Sequence, residues 1–131
     1  MNAEIPAELV DLLTGGLLGH VATMAPSGRV AVHLMWIDYD GRHILTSSRV
    51  GSRKGRNWRR NPQAAVSVVD PRNPWRYLSV SGRVVDIQPD TDLAFIDRMA
   101  ERYTGQAYGD RDMAREVFVI EPDRVRASLG R

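Results

Sequence analysis

Three apolar runs in the first part of the chain, residues 17–24, 29–38 and 42–48, are separated only by the turn signals Ala-Pro-Ser-Gly at 25–28 and Asp-Tyr-Asp-Gly at 38–41. Parallel pairing of sequential strands needs a crossover of about a dozen residues or more. These connections hold none, so the three runs predict an antiparallel meander, and a doubly wound parallel sheet is excluded. In the second run Val30, Val32, Leu34 and Trp36 alternate with Ala31, His33, Met35 and Ile37. Both faces are largely apolar, which predicts a strand buried on two sides or covered by another subunit.

Around this meander the remaining elements are short. Pro6 suits the first turn of a helix over residues 7–13, with Leu9, Val10, Leu12 and Leu13 mostly on one side and Gly15-Gly16 ending it. Residues 51–61 read as a polar helix that Ser52 can cap and Asn61-Pro62 stops. A fourth strand is expected at 64–69, a loop at 70–74, and a long fifth strand at 75–87 with Gly82 marking a bulge or bend. Leu93, Ile96, Ala100 and Tyr103 have helical spacing over 90–103, residues 104–115 read as a loop, and 116–120 as a sixth strand that Val125 can extend past Pro122. Six strands with three interspersed helices form a mainly β fold with peripheral helices, a small closed or split antiparallel barrel.

At 131 residues the chain is expected to be one domain, 1–131. It has no cysteine, which excludes disulfides, thiol nucleophiles and thiolate metal sites. The acidic start Met-Asn-Ala-Glu lacks the basic region of a signal peptide and no apolar run approaches membrane-spanning length, so a cytoplasmic location is expected. The net charge of +2 is modest, but residues 1–83 hold eleven cations against six anions while 84–131 hold seven against ten. The basic surface is local.

It centres on residues 46–62, where six of the eighteen basic residues fall between Arg49 and Arg60. Lys54, among them, is the one lysine in the chain; the other seventeen cations are arginines. Ser47 and Ser48 precede the run and Ser52 lies inside it. Hydroxyl donors beside a compact ammonium and rigid guanidinium forks suit a phosphate or polycarboxylate. A solvated helix face would show the same charges, and so would a nucleic-acid patch, although few aromatics and no nucleic-acid motif accompany the run. Arg56, Arg59 and Arg60 are left open between ligand and solvent.

Other candidates carry less. Trp58 reads as the apolar foot of the basic helix, Trp36 as core or ligand platform, and Trp75 as a ring cover or subunit anchor at a loop-to-strand junction. His20, His33 and His43 fall on three successive strands without metal-ligand spacing, so no metal is expected. No Gly-x-Ser-x-Gly elbow and no paired-carboxylate arrangement is present, and no protein-borne catalytic residue is assigned. A binding site for an anionic, planar ligand without its own catalytic machinery fits an enzyme whose cofactor carries the chemistry.

The segments Gly-His-Val-Ala-Thr at 19–23, Met35-Trp36, Arg-Lys-Gly-Arg-Asn-Trp-Arg-Arg-Asn-Pro at 53–62 and Val-Asp-Pro-Arg-Asn-Pro-Trp-Arg-Tyr-Leu-Ser-Val-Ser-Gly at 69–82 resemble the flavin/deazaflavin oxidoreductases. This is the split β-barrel superfamily that includes pyridoxamine 5′-phosphate oxidase, and the chain is most similar to its small actinobacterial members that use coenzyme F420. The resemblance implies a six-stranded antiparallel split β-barrel and a homodimer with cofactor sites at the subunit interface. It implies that the second strand, here Val32, His33, Leu34, Met35, Trp36 and Ile37, runs along the cofactor ring. Ser47 and Ser48 would stand beside the phosphate-bearing side chain, Arg53 and Lys54 would grip the phosphate after Ser52, Trp75 would come from the partner chain, and Tyr77 would face the ring. The family's longer C-terminal extension, with its substrate-phosphate arginine and histidine, has no counterpart here, so vitamin B6 oxidation is not expected. The resulting expectation is a reductase passing a hydride from reduced F420 to a small organic acceptor, without nucleic acid or membrane partners. FMN in the same barrel, or a non-catalytic binder of F420 or another anionic ligand, are the alternatives.

Overall fold

The structure is a computed structural model that describes residues 2–131. Its frame is one curled, fully antiparallel sheet of seven strands in the order β2-β1-β5-β6-β7-β4-β3. The strands are β1 (Gly19–Met24), β2 (Val30–Met35), β3 (Asp38–Tyr39), β4 (Ile44–Arg49), β5 (Gln63–Asp70), β6 (Asn73–Pro89) and β7 (Arg115–Leu129). The expected split barrel is present with one strand more than read from the sequence. The second apolar run breaks after Met35, and Asp38–Tyr39 turns to pair with β4 instead of continuing along β1. Asp40 fixes that hairpin: its Oδ1 accepts from the backbone N–H of Arg42 at 2.9 Å and of His43 at 2.6 Å.

The sheet curls where β6 and β7 bend together. Gly82 sits at a register shift in that pair, as its place in the fifth strand suggested, and a Cβ there would stand 2.1 Å from the Glu121 carbonyl oxygen. Pro122, which has no N–H for the ladder, lies opposite it. Beyond this bend β7 continues through Val125, the expected extension of the 116–120 strand, and on to Leu129. One long strand pairs with both β4 and β6 and joins the two halves of the sheet.

The concave side holds the core. Val21, Met35, Ile37, Ile44, Val66, Val68, Leu78, Val80, Phe118 and Ile120 meet Leu9, Leu12 and Leu13, which arrive from a 3-10 turn (Ala7–Leu9) and the short helix α1 (Asp11–Thr14). Helix α2 (Arg53–Arg60) is capped by Ser52, whose Oγ accepts from the Gly55 N–H at 3.1 Å, and is pinned by buried Trp58 against Phe118. It lies so close to β7 that a Cβ on Gly55 would stand 2.9 Å from Glu116 Oε2 and 3.3 Å from the Phe118 ring. Helix α3 (Ala94–Thr104) builds a smaller cluster from Phe95, Ile96, Met99 and Val117. Asp90 starts it, its two oxygens accepting from the N–H groups of Phe95 and Ile96 at 2.8 and 3.0 Å.

The second strand is not buried on both sides within the chain. Its inner residues Ala31, His33 and Met35 face the core side, whereas Val30, Val32 and Leu34 on the outer face are 59–66% exposed. No described helix is long and apolar enough to cross a membrane.

Candidate functional site

Two cavities open beside each other between α2, α3 and the strands β2, β4 and β7. The first, of about 250 Å³, is lined mostly by apolar and aromatic residues: Leu34, Met35 and Trp36 come from β2 and the residue after it, Phe95, Ile96 and Met99 from α3, and Leu18 and Tyr108 from connecting segments. The second, of about 380 Å³, is cationic and hydroxylated, lined by His33, Ser47, Ser48, Arg49, Ser52, Arg53, Lys54 and Arg115. Ser47, Lys54 and Arg115 line both. They are the seam between an apolar end and an anion-attracting end.

The seam follows from strand register. Arg49 pairs with Arg115 and Ser48 with Glu116, which brings the end of β4 and the start of β7 under the first turn of α2. Arg115 is held in place: Nε donates to Ser47 Oγ at 3.1 Å, one terminal nitrogen to the Tyr108 hydroxyl at 3.3 Å, and the guanidinium lies 5.1 Å from the Tyr108 ring centre. Lys54 is half-buried, and burial, then the charges of Arg115 and Arg49, hold its ammonium below the usual lysine range. An anion entering the seam relieves that repulsion. His33 is pushed below the usual imidazole range, first by burial and then by Lys54 and Arg53.

The wall of the apolar cavity is stiff. Trp36 stacks on Tyr103 with ring centres 5.2 Å apart and meets Tyr108 edge-on at 6.5 Å. The Tyr103 hydroxyl donates to the Leu17 carbonyl at 2.7 Å and accepts from the Ile37 N–H at 3.0 Å. The buried Asp38 carboxylate accepts from Arg102 at 2.8 Å, which ties α3 to the hairpin below it.

Of the residues singled out from sequence, His33, Leu34, Met35, Trp36, Ser47, Ser48, Arg53 and Lys54 line this pair of cavities. Val32, Trp75 and Tyr77 do not; they lie on the convex face of the sheet, and Trp75 is 74% exposed. The open arginines divide. Arg59 is committed to the buried carboxylate of Glu116 through two bonds of 2.9 and 2.6 Å, clamping α2 onto β7. Arg56 and Arg60 turn with Arg53 and Arg29 to a neighbouring cleft beside Pro26 and Ser27. The three histidines have separate partners: His20 the Ser67 carbonyl, His33 the Thr23 hydroxyl and His43 the Asp40 carboxylate.

Arg115 and Tyr108 were missed because both fell in what read as a polar loop. An aromatic between Gly105 and Gly109 was the available sign for Tyr108. For Arg115 there was none, because its place is set by pairing with Arg49, sixty-odd residues away.

Known proteins bear on this geometry. The family model described as pyridoxamine 5′-phosphate oxidase matches residues 5–129. No curated protein matches the sequence. A solved structure named F420 Reductase is 36% identical, with a TM-score of 0.85 over 93% of this chain and 98% of that one. The conserved hypothetical protein Rv2991 from Mycobacterium tuberculosis is 26% identical, with a TM-score of 0.79 over 99% of this chain and 88% of its own. HutZ, the heme storage protein from Vibrio cholerae, shares the fold alone at 12% identity, with a TM-score of 0.64 over 96% of each chain. A family match along nearly the whole chain, on a curled antiparallel sheet with this connectivity, places the protein in the pyridoxamine 5′-phosphate oxidase family of split β-barrels.

Proposed function

We propose that this chain forms a homodimeric oxidoreductase that binds coenzyme F420 and passes reducing equivalents to a small organic acceptor. The observation that carries the reading is the joined groove, apolar and aromatic at one end and cationic at the other, with Ser47, Lys54 and Arg115 at the seam. The likeness to a structure named F420 Reductase supports deazaflavin over other anionic planar ligands.

The residues fit such a group. Ser47, Ser48, Arg53 and Lys54 would hold a phosphate, with the Ser52-capped N-terminus of α2 behind them. Val32 to Trp36 would border the ring, and the stacked Trp36–Tyr103 pair gives that border a fixed position. Phe95, Ile96 and Met99 would give the bound ring apolar neighbours at that end. Trp75 and Tyr77, on the convex face, would reach a cofactor only from a second copy, the arrangement proposed for the dimer. When bound, reduced F420 supplies the hydride, and the protein supplies orientation, a dry face and anion-binding groups.

FMN is the second reading, favoured by the family match and by a cationic cleft that suits a single terminal phosphate equally well. Absorption and fluorescence of ligand released from purified protein, followed by titration with each cofactor, separate the two. Saturable binding of F420 and oxidation of its reduced form by members of an acceptor panel are expected. Affinity for FMN alone removes the F420 assignment, and F420 binding without turnover across the panel makes the protein a binding module.

A further inference from the structure

His33 lies on the inner face of β2, with Nε2 3.2 Å from Thr23 Oγ1 on β1. The same hydroxyl oxygen accepts from Asn57 Nδ2 of α2 at 3.0 Å. Thr23 and Asn57 are only 2% and 4% exposed, so bulk water does not serve this chain. A hydroxyl has one proton and two acceptor positions. Asn57 fills an acceptor position, and among the described residues His33 Nε2 is the remaining neighbour within hydrogen-bond distance of the hydroxyl. If the Thr23 proton is to be used within this group, it goes to Nε2, and the imidazole then carries its own proton on Nδ1. No other described group bonds the ring, which lines the cationic cleft.

We infer that His33 meets the bound anion as a neutral Nδ1–H donor, held in that tautomer by the Asn57–Thr23 chain, and not as a further cation. This deepens the proposed cofactor site and rests on it for the identity of the cleft as an anion site. The charged groups lining the cleft with His33 are Arg53 and Lys54 of α2, Arg49 of β4 and Arg115 of β7; no carboxylate lines it. A fifth positive charge would repel all four when the cleft is empty. Protonating Nε2 would also leave the buried Thr23 proton without an acceptor among the described residues. Burial and the Lys54 and Arg53 charges act in the same direction on the ring. A neutral donor adds a directed bond to an oxyanion without deepening that repulsion, and it neither takes up nor releases a proton when the anion arrives.

The test is imidazole ¹⁵N NMR on the full chain, with sulfate as probe because it stays dianionic over the histidine range. Expected are the neutral Nδ1–H tautomer at about pH 7, free and sulfate-bound, and a sulfate affinity that varies less than about twofold between pH 6 and 8. His33→Asn, whose amide reproduces the Nδ1 donor, keeps affinity within about threefold, while His33→Phe loses about tenfold. Thr23→Val, close in shape, raises the His33 titration and makes binding stronger in acid. An Nε2–H tautomer, or a wild-type affinity that rises about fivefold or more towards pH 6 with His33→Asn weakened, overturns the inference and leaves the anion site standing. The Nδ1–H tautomer in a protein that binds no sulfate overturns the anion-site reading and the donor role with it.

Discussion

Lys54 stands where the apolar and cationic cavities meet, half-buried and with Arg115 and Arg49 as its charged neighbours. A half-buried ammonium beside other cations is held below its usual range in the free protein and is suited to gain on anion binding. Lys54→Ala is therefore expected to weaken cofactor binding about tenfold or more, the scale of a lost charge-assisted hydrogen bond, while leaving the melting temperature unchanged or slightly raised. Fluorescence titration beside a thermal melt checks both halves; unchanged affinity would contradict the assignment. Chemistry at this scale was legible in the sequence. A single lysine after a Ser-Ser pair, within a run of arginines, raised the anion reading beside those of a solvated face and a nucleic-acid patch. The fate of individual arginines was not. Arg59 joins Glu116 across the α2–β7 contact, and Arg56 and Arg60 turn elsewhere, because helix azimuth and the neighbouring strand decide which charges meet.

At the scale of elements, the bend in β6 and β7 sets the cavity. Gly82 allows the backbone of β6 to come against Glu121, and the curl places β7, with Arg115 at its start, alongside β4. A methyl group 2.1 Å from a carbonyl oxygen must displace backbone rather than a flexible side chain. Gly82→Ala is expected to cost about 1–3 kcal/mol and to lower the melting temperature by several degrees, read by calorimetry with and without ligand. A variant as stable as the parent would show that the bend does not need the glycine. The bulge was legible because a glycine inside an apolar alternation has few other uses. The extension of β7 past Pro122 was legible at Val125, but its run to Leu129 was not, since that end is set by pairing with the start of β6. At the start of α3 the left-handed conformations of Asp92 and Leu93 follow no spacing rule, and Asp90, before them, accepts from the N–H groups of Phe95 and Ile96.

For the whole molecule, the convex face of β2, β1, β5 and β6 is the unfinished surface. Val32 at 66%, Leu34 at 62% and Trp75 at 74% exposure, with Val30, Val69 and Tyr77 also exposed, put large apolar side chains on β2, β5 and β6 of this face, with His20 and Ser67 between the two groups. A second copy is the occupant the proposed function assigns to it. Val30→Asp with Val69→Asp, on the same face but outside the residues assigned to the cofactor, is expected to give monomers by analytical ultracentrifugation, and with them a loss of F420 affinity of about tenfold or more. Parent protein that sediments as a monomer would remove the dimer, and a monomeric variant that binds normally would remove the partner's share of the site. By itself the sequence determined the antiparallel meander and the capped basic helix, and it put the hydroxyls and cations of the proposed anion site close together in the chain. Each of these depends on neighbours within a few positions, where turn length, alternation and residue type act directly. Only the tertiary structure decided that Arg115 and Tyr108 join Ser47 and Lys54, that His33 is tied through Thr23 to Asn57, and that Trp75 faces away from the cavity of its own chain. Those juxtapositions are set by sheet register and curl, which place residues far apart in sequence within one hydrogen bond of each other and leave no mark on the residues themselves.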